Sequence, residues 1–104
     1  MSLIDHPNIF KIENYFSYNQ YMVIVTPYYP LESLHSFILK HYSSGIPEKM
    51  ACIIMHQLLS AVNYLHKNNI WHRDIKPDNV LVVDNNSNNP KVVLADFGFA
   101  QKFE

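Results

Sequence analysis

"IWHRDIKPDNVLVV", residues 70–83, decides how this chain is read, together with its companion "KVVLADFG", residues 91–98. Two apolar runs of β-branched residues, Val80–Val83 and Lys91–Ala95, flank the Asn-rich segment "DNNSNNP". Such runs predict paired strands joined by a long turn. The segment before the first run cannot be regular, because Pro77 fixes its own φ and restrains Lys76. A hairpin with a long tip sets its two open ends side by side. The loop before Val80 and the loop after Ala95 are therefore expected to be neighbours, which brings Asp74, Lys76 and Asn79 towards Asp96.

Carboxylate and amide oxygens beside one lysine form the donor set that a Mg²⁺–phosphate complex needs, since Mg²⁺ is a hard cation that takes oxygen ligands. A lysine can neutralise charge on a moving phosphoryl group, and a remaining carboxylate can take a proton from a hydroxyl. The bland alternative is a polar turn followed by an unrelated Asp-Phe-Gly turn, a tripeptide that carries almost no information alone.

The rest of the chain predicts a mixed α+β architecture. "HPNIFKIENYF" and "YMVIVTPYY" read as two strands, 9–16 and 21–28, joined by the polar break 17–20 and ended by Pro27 and Pro30. Leu31, Leu34, Ile38 and Tyr42 recur at helical spacing. The strongest period follows: Ala51, Met55, Leu58, Val62 and Leu65 step by four and three, with Lys49, His56, Ser60, Asn63 and Lys67 on the other side. Pro47 suits a first helical position and Glu48 the positive end of the helix. This helix is apolar over much of its circumference and is expected to be largely buried, Cys52 with it. Ile70-Trp71 is a strand stub, and the segment from Asp96 onward reads as a loop that Gly98 opens.

Composition bounds the remaining readings. A chain of 104 residues is at most one small domain. A net charge of −1 offers no basic face for nucleic acid or an anionic membrane. The six histidines are scattered, and with one cysteine a zinc site is not expected. That single cysteine suits a reducing compartment, so the expected location is intracellular and cytoplasmic. No basic run followed by an apolar one opens the sequence, and no apolar stretch is long enough to span a bilayer.

"HRDIKPDN" followed by "ADFG" closely resembles the catalytic and metal-binding loops of protein kinases. The pattern H-R-D-L-x-x-x-N is matched at His72, Arg73, Asp74 and Asn79, with Ile75 in place of Leu. Lys76, two residues past the aspartate, resembles the serine/threonine branch. "YLHKNNIWHRD" and "DFGFA" look most like the calmodulin-dependent and related groups, and "HPNI" resembles the segment before the fourth strand of a kinase. The resemblance covers essentially the whole chain.

The resemblance implies ATP and Mg²⁺ as cofactors and a protein substrate bearing Ser or Thr. It implies that Asp74 is the base for the substrate hydroxyl and that Lys76 steadies the transferring phosphate. Asn79 and Asp96 would hold Mg²⁺. Arg73 would either pair with a phosphorylated activation loop or form a structural salt bridge. His72 and Phe97 would join a packed column with Ile12, and Asp78 would meet a basic residue of a peptide substrate. By the same resemblance 1–25 ends the smaller lobe, 25–29 is the hinge and 30–104 begins the larger lobe. Val25, Thr26, Pro27 and Tyr28 would then border the adenine, with Leu81 beneath it. Pro27 stands where the family usually carries an acid. Either it removes a backbone donor harmlessly with Thr26 guarding the pocket, or Ile24 is the guard and the hinge shifts back.

With only Gly45 and Gly98, residues 1–104 contain no glycine-rich phosphate loop. Neither the V-A-I-K lysine nor the A-P-E segment is present. The resemblance therefore implies that these residues alone are inactive, and that the long helix shows apolar surface. A non-catalytic, pseudokinase-like binding module is the alternative function.

Overall fold

The computed structural model describes residues 5–27, 32–86, 88–95 and the backbone of 101–102. The expected Asp96, Phe97, Tyr28 and Leu31 lie outside these residues. The chain is a mixed α+β assembly. A hairpin of β1 (Asn14–Tyr18) and β2 (Tyr21–Val25) leads to the helices α1 (Leu34–His41) and α2 (Glu48–Lys67). The stub β3 (Ile70–Trp71) precedes a second hairpin, β4 (Val80–Asp84) with β5 (Lys91–Leu94). Finally β6 (Gln101–Lys102) pairs antiparallel with β3.

The first hairpin is shorter than its β-rich sequence predicts. Its turn is only Asn19-Gln20, since Ser17 and Tyr18 pair with Met22 and Tyr21. Asn19 takes φ 55°, the left-handed backbone that a tight hairpin turn needs and that asparagine tolerates. Ile9 is not in this hairpin. It is buried at 3% exposure and forms a parallel bridge to Leu94. Ile12 is 38% exposed and His72 buried, while Phe97, the third member of the expected column, lies outside the described residues. Beyond Val25 the ladder stops two residues before Pro27, which could donate nothing to it.

Ser33 caps α1: its Oγ accepts the Ser36 amide at 3.1 Å. Just before it, Glu32 accepts from Ser36 Oγ at 2.7 Å and lies 3.0 Å from Lys40 Nζ. The Ser36 hydroxyl, and then Lys40, hold the Glu32 carboxyl below the usual carboxylate range. Ser33→Ala should destabilise the chain by ~0.5–2 kcal/mol. Urea unfolding of wild type and variant at neutral pH checks this; identical midpoints would show that the cap contributes nothing.

The buried seam of α2 runs Met50, Ile54, Leu58, Ala61, Leu65; Leu58 and Leu65 belong to the predicted stripe, and Met50, Ile54 and Ala61 stand one position before the predicted Ala51, Met55 and Val62. Met55 is 51% exposed and Leu59 62%. Pro47 is the N-cap rather than the first helical residue, and Asn69, at φ 61°, turns the chain just past the helix. The physical reason is that α2 carries two adjoining apolar stripes, and the β4–β5 hairpin covers only one. The same rotation leaves Cys52 exposed, contrary to the expectation of burial.

The core joins Leu34 and Phe37 of α1, the α2 seam, and Val80, Val82, Val92 and Leu94 of the second hairpin, with Ile9 added from outside. The second α2 stripe lines an open apolar groove of about 450 Å³, bordered by Met55, Leu59 and Val62 and by the loop Ile75–Pro77.

Candidate active site

The loop from His72 to Asn79 hangs between β3 and β4. It starts with Arg73 at φ 70°, a conformation rare for a residue with a side chain and frequent where a loop is held for function. It ends in a single 3-10 turn, Pro77–Asn79, with proline at its start, where no amide hydrogen is required.

Three of the residues singled out in the sequence meet here. Asn79 Nδ2 donates to the Asp74 main-chain oxygen at 2.8 Å and to Asp74 Oδ2 at 3.0 Å. Lys76 Nζ lies 3.8 Å from the other carboxylate oxygen, Oδ1. The carboxylate is thus held on both oxygens while still partly open to solvent. Because Asn79 spends Nδ2 on Asp74, its amide oxygen remains as a ligand of the kind a hard cation prefers.

His72 organises the loop from beneath, at 2% exposure. Its Nδ1 accepts the Asp74 amide at 3.1 Å, and its Nε2 lies 2.8 Å from the Ala95 carbonyl. An amide can only donate and a carbonyl only accept. The ring is therefore the Nε2–H tautomer, with Nε2–H donating to Ala95. The Ala95 amide donates to the Asn79 carbonyl at 2.8 Å. The two open ends of the hairpin are accordingly neighbours up to Ala95; Asp96 follows directly but lies outside the described residues. Among the described residues no group of three His, Cys, Asp or Glu is set to hold a metal ion.

The residues that the resemblance assigns to adenine are dispersed along other elements. Val25 ends β2 and is 39% exposed, Thr26 Oγ1 donates to the Pro27 carbonyl at 3.0 Å, and Tyr28 is outside the described residues. Leu81, half-buried on β4, is bridged to Ser33. Asp78 is exposed and lies 3.6 Å from His35.

The sequence reading missed Gln57 and Asn8. Gln57 Oε1 accepts from Asn8 Nδ2 at 2.8 Å and from the Val92 amide at 3.0 Å, while its Nε2 donates to the Pro90 carbonyl at 2.7 Å. A signal was available: Gln57 sits three residues after Ile54 and four before Ala61, so it is a polar residue on the buried seam.

The family model described as "Protein kinase domain" matches residues 1–104. The chain belongs to the protein kinase family. The kinase chain is 35% identical over 104 residues to "Calcium-dependent protein kinase 4" of Plasmodium berghei, covering 100% of this chain and 19% of that protein. It is 39% identical over 102 residues to "Calcium-dependent protein kinase 5" of Plasmodium falciparum, covering 98% of this chain and 17% of the relative. "Probable serine/threonine-protein kinase samkB" of Dictyostelium discoideum is 42% identical over 102 residues, 93% of this chain and 16% of the relative. The kinase chain therefore spans less than a fifth of the length of these curated relatives. Among the described residues no helix is long and apolar enough to cross a membrane.

Proposed function

We propose that the whole protein carrying these residues is an ATP-dependent serine/threonine protein kinase, and that Asp74, Lys76 and Asn79 are catalytic. The observation that carries this reading is the Asp74 carboxylate held by Asn79 at 3.0 Å and approached by Lys76 at 3.8 Å. The name of one relative, "Probable serine/threonine-protein kinase samkB", supports the serine/threonine specificity.

In this reading Asp74 orients the substrate hydroxyl and takes its proton as the oxygen–phosphorus bond forms. The bond from the γ-phosphorus to the β,γ-bridging oxygen breaks, and ADP leaves. Lys76 balances charge on the phosphoryl oxygens. Asn79, through its amide oxygen, and Asp96 would hold Mg²⁺, which would supply charge neutralisation for the phosphoryl group when bound. Val25–Tyr28 border the adenine and Leu81 lies beneath it. Residues 1–25 then end the smaller lobe, and the larger lobe begins after the hinge at 25–29.

Incubating the whole protein with γ-labelled Mg²⁺·ATP and a library of Ser/Thr peptides tests the reading. Label on hydroxyl side chains supports it, and its absence under all peptide conditions overturns it. The 104-residue polypeptide taken alone should bind Mg²⁺·ATP more weakly than ~100 μM, because most of the catalysis in phosphoryl transfer is positioning by parts that this segment lacks. Calorimetry reads this directly; low-micromolar binding would show that residues 1–104 suffice.

A further inference from the structure

We infer that the carboxamide pair Gln57–Asn8 is a positioning clamp for the Asp74 loop, acting through β5 and His72; its catalytic consequence rests on the kinase reading above. β5 has two edges. One edge of this short strand pairs with β4. An open opposite edge would leave a two-stranded ribbon that is marginal in water.

That edge is instead covered by side chains and a passing segment. Gln57 serves the Pro90 carbonyl and the Val92 amide. Asn8 Nδ2 donates to the Val92 carbonyl at 3.0 Å. The Asn8 carbonyl accepts the Leu94 amide and the Leu94 carbonyl accepts the Phe10 amide, each at 2.8 Å. The two carboxamides join at 2.8 Å. Together they extend the sheet by something that behaves as a third strand.

This closes a mechanical ring. From α2 the chain runs through β3 to His72. The ring nitrogen of His72 donates to Ala95 at the end of β5. Gln57 ties β5 back to the middle of the 20-residue helix α2. The position of Ala95 relative to α2 is therefore set from both ends. His72 reads that position at one ring nitrogen and passes it to the Asp74 amide at the other.

Opening the ring need not unfold the protein. Gln57 borders an open depression of about 470 Å³ between α2 and the 89–91 segment. Water entering there can take over the Pro90 and Val92 groups, which preserves their hydrogen bonding but not their position.

The test uses Gln57→Leu in the whole protein, with two readouts. The first is exchange of the His72 Nε2–H with solvent, followed by NMR on protein labelled at histidine. It should quicken by ~10-fold or more while amide exchange within α1 and α2 holds, since only a local opening is released. The second is kinetics: kcat should fall by ~10- to 100-fold from misplacement of the base, with KM for ATP little changed. If Gln57→Leu does not fold, Asn8→Ala decides instead; it removes the two Nδ2 bonds and leaves Gln57 on β5.

Unchanged His72 exchange in a folded variant overturns the clamp. So does exchange that quickens equally in α1 and α2, or quickened His72 exchange with full kcat. Selective quickening in a protein whose wild type transfers no phosphate would uphold the clamp and fail the kinase reading separately.

Discussion

Asp74→Asn in the whole protein should lower turnover by ~10²- to 10⁴-fold, the range that a positioned general base supplies, with Mg²⁺·ATP binding nearly intact. The substitution is almost isosteric. The Asp74 main-chain oxygen still accepts from Asn79, and the Asp74 amide still donates to His72, so the loop keeps its shape. What is lost is the group that can take a proton. The negative partner 3.8 Å from Lys76 and 3.0 Å from Asn79 goes with it. Steady-state kinetics beside nucleotide titration separates these effects. Equal turnover in variant and wild type would refute Asp74 as the base. Loss of nucleotide binding in step with turnover would mean that the residue holds the site together instead.

Leu65→Ala should cost ~2–5 kcal/mol, a large part of the ~5–15 kcal/mol that typically holds a native domain together. Leu65 is 1% exposed at the end of the α2 seam, among the largest side chains of the core. Removing most of it leaves a void in the buried core cluster that Leu65 shares with the β4–β5 hairpin. Met55→Ala is the matched control, because Met55 belongs to the predicted stripe yet is half exposed. It should change stability by less than ~1 kcal/mol in this chain, as surface substitutions generally do. Urea denaturation of the two variants measures which face of α2 is inside. Equal losses would return the helix to the orientation read from sequence.

That contrast shows where the sequence is a sufficient guide and where it is not. Pro77 and the turn-rich 84–90 segment make an irregular loop and a long-tipped hairpin unavoidable, because they act on the backbone within a few residues. The meeting of Asp74, Lys76 and Asn79 is of the same local kind, spanning one loop and a 3-10 turn. The helical periods of α1 and α2, the capping Ser33 and the β-branched strands are local as well.

Other features depend on groups far apart in the chain. Pattern alone could not choose between two adjoining apolar stripes on α2; the β4–β5 hairpin covers one and leaves the other facing the groove. Ile9 reads as a strand residue, but a buried place beside Leu94 removes more apolar surface from water than an exposed hairpin would. Nothing in the sequence around Gln101 announces the pairing of β6 with β3. Gln57 and Asn8 look like ordinary polar residues until β5 presents an edge that needs donors and acceptors. By itself the sequence determined most of the elements, the residues that meet in the 72–79 loop and the family, because those rest on residue type at short spacing. Only the tertiary structure decided which faces are buried and what steadies the loop, because burial and edge pairing are settled between segments that the chain keeps tens of residues apart.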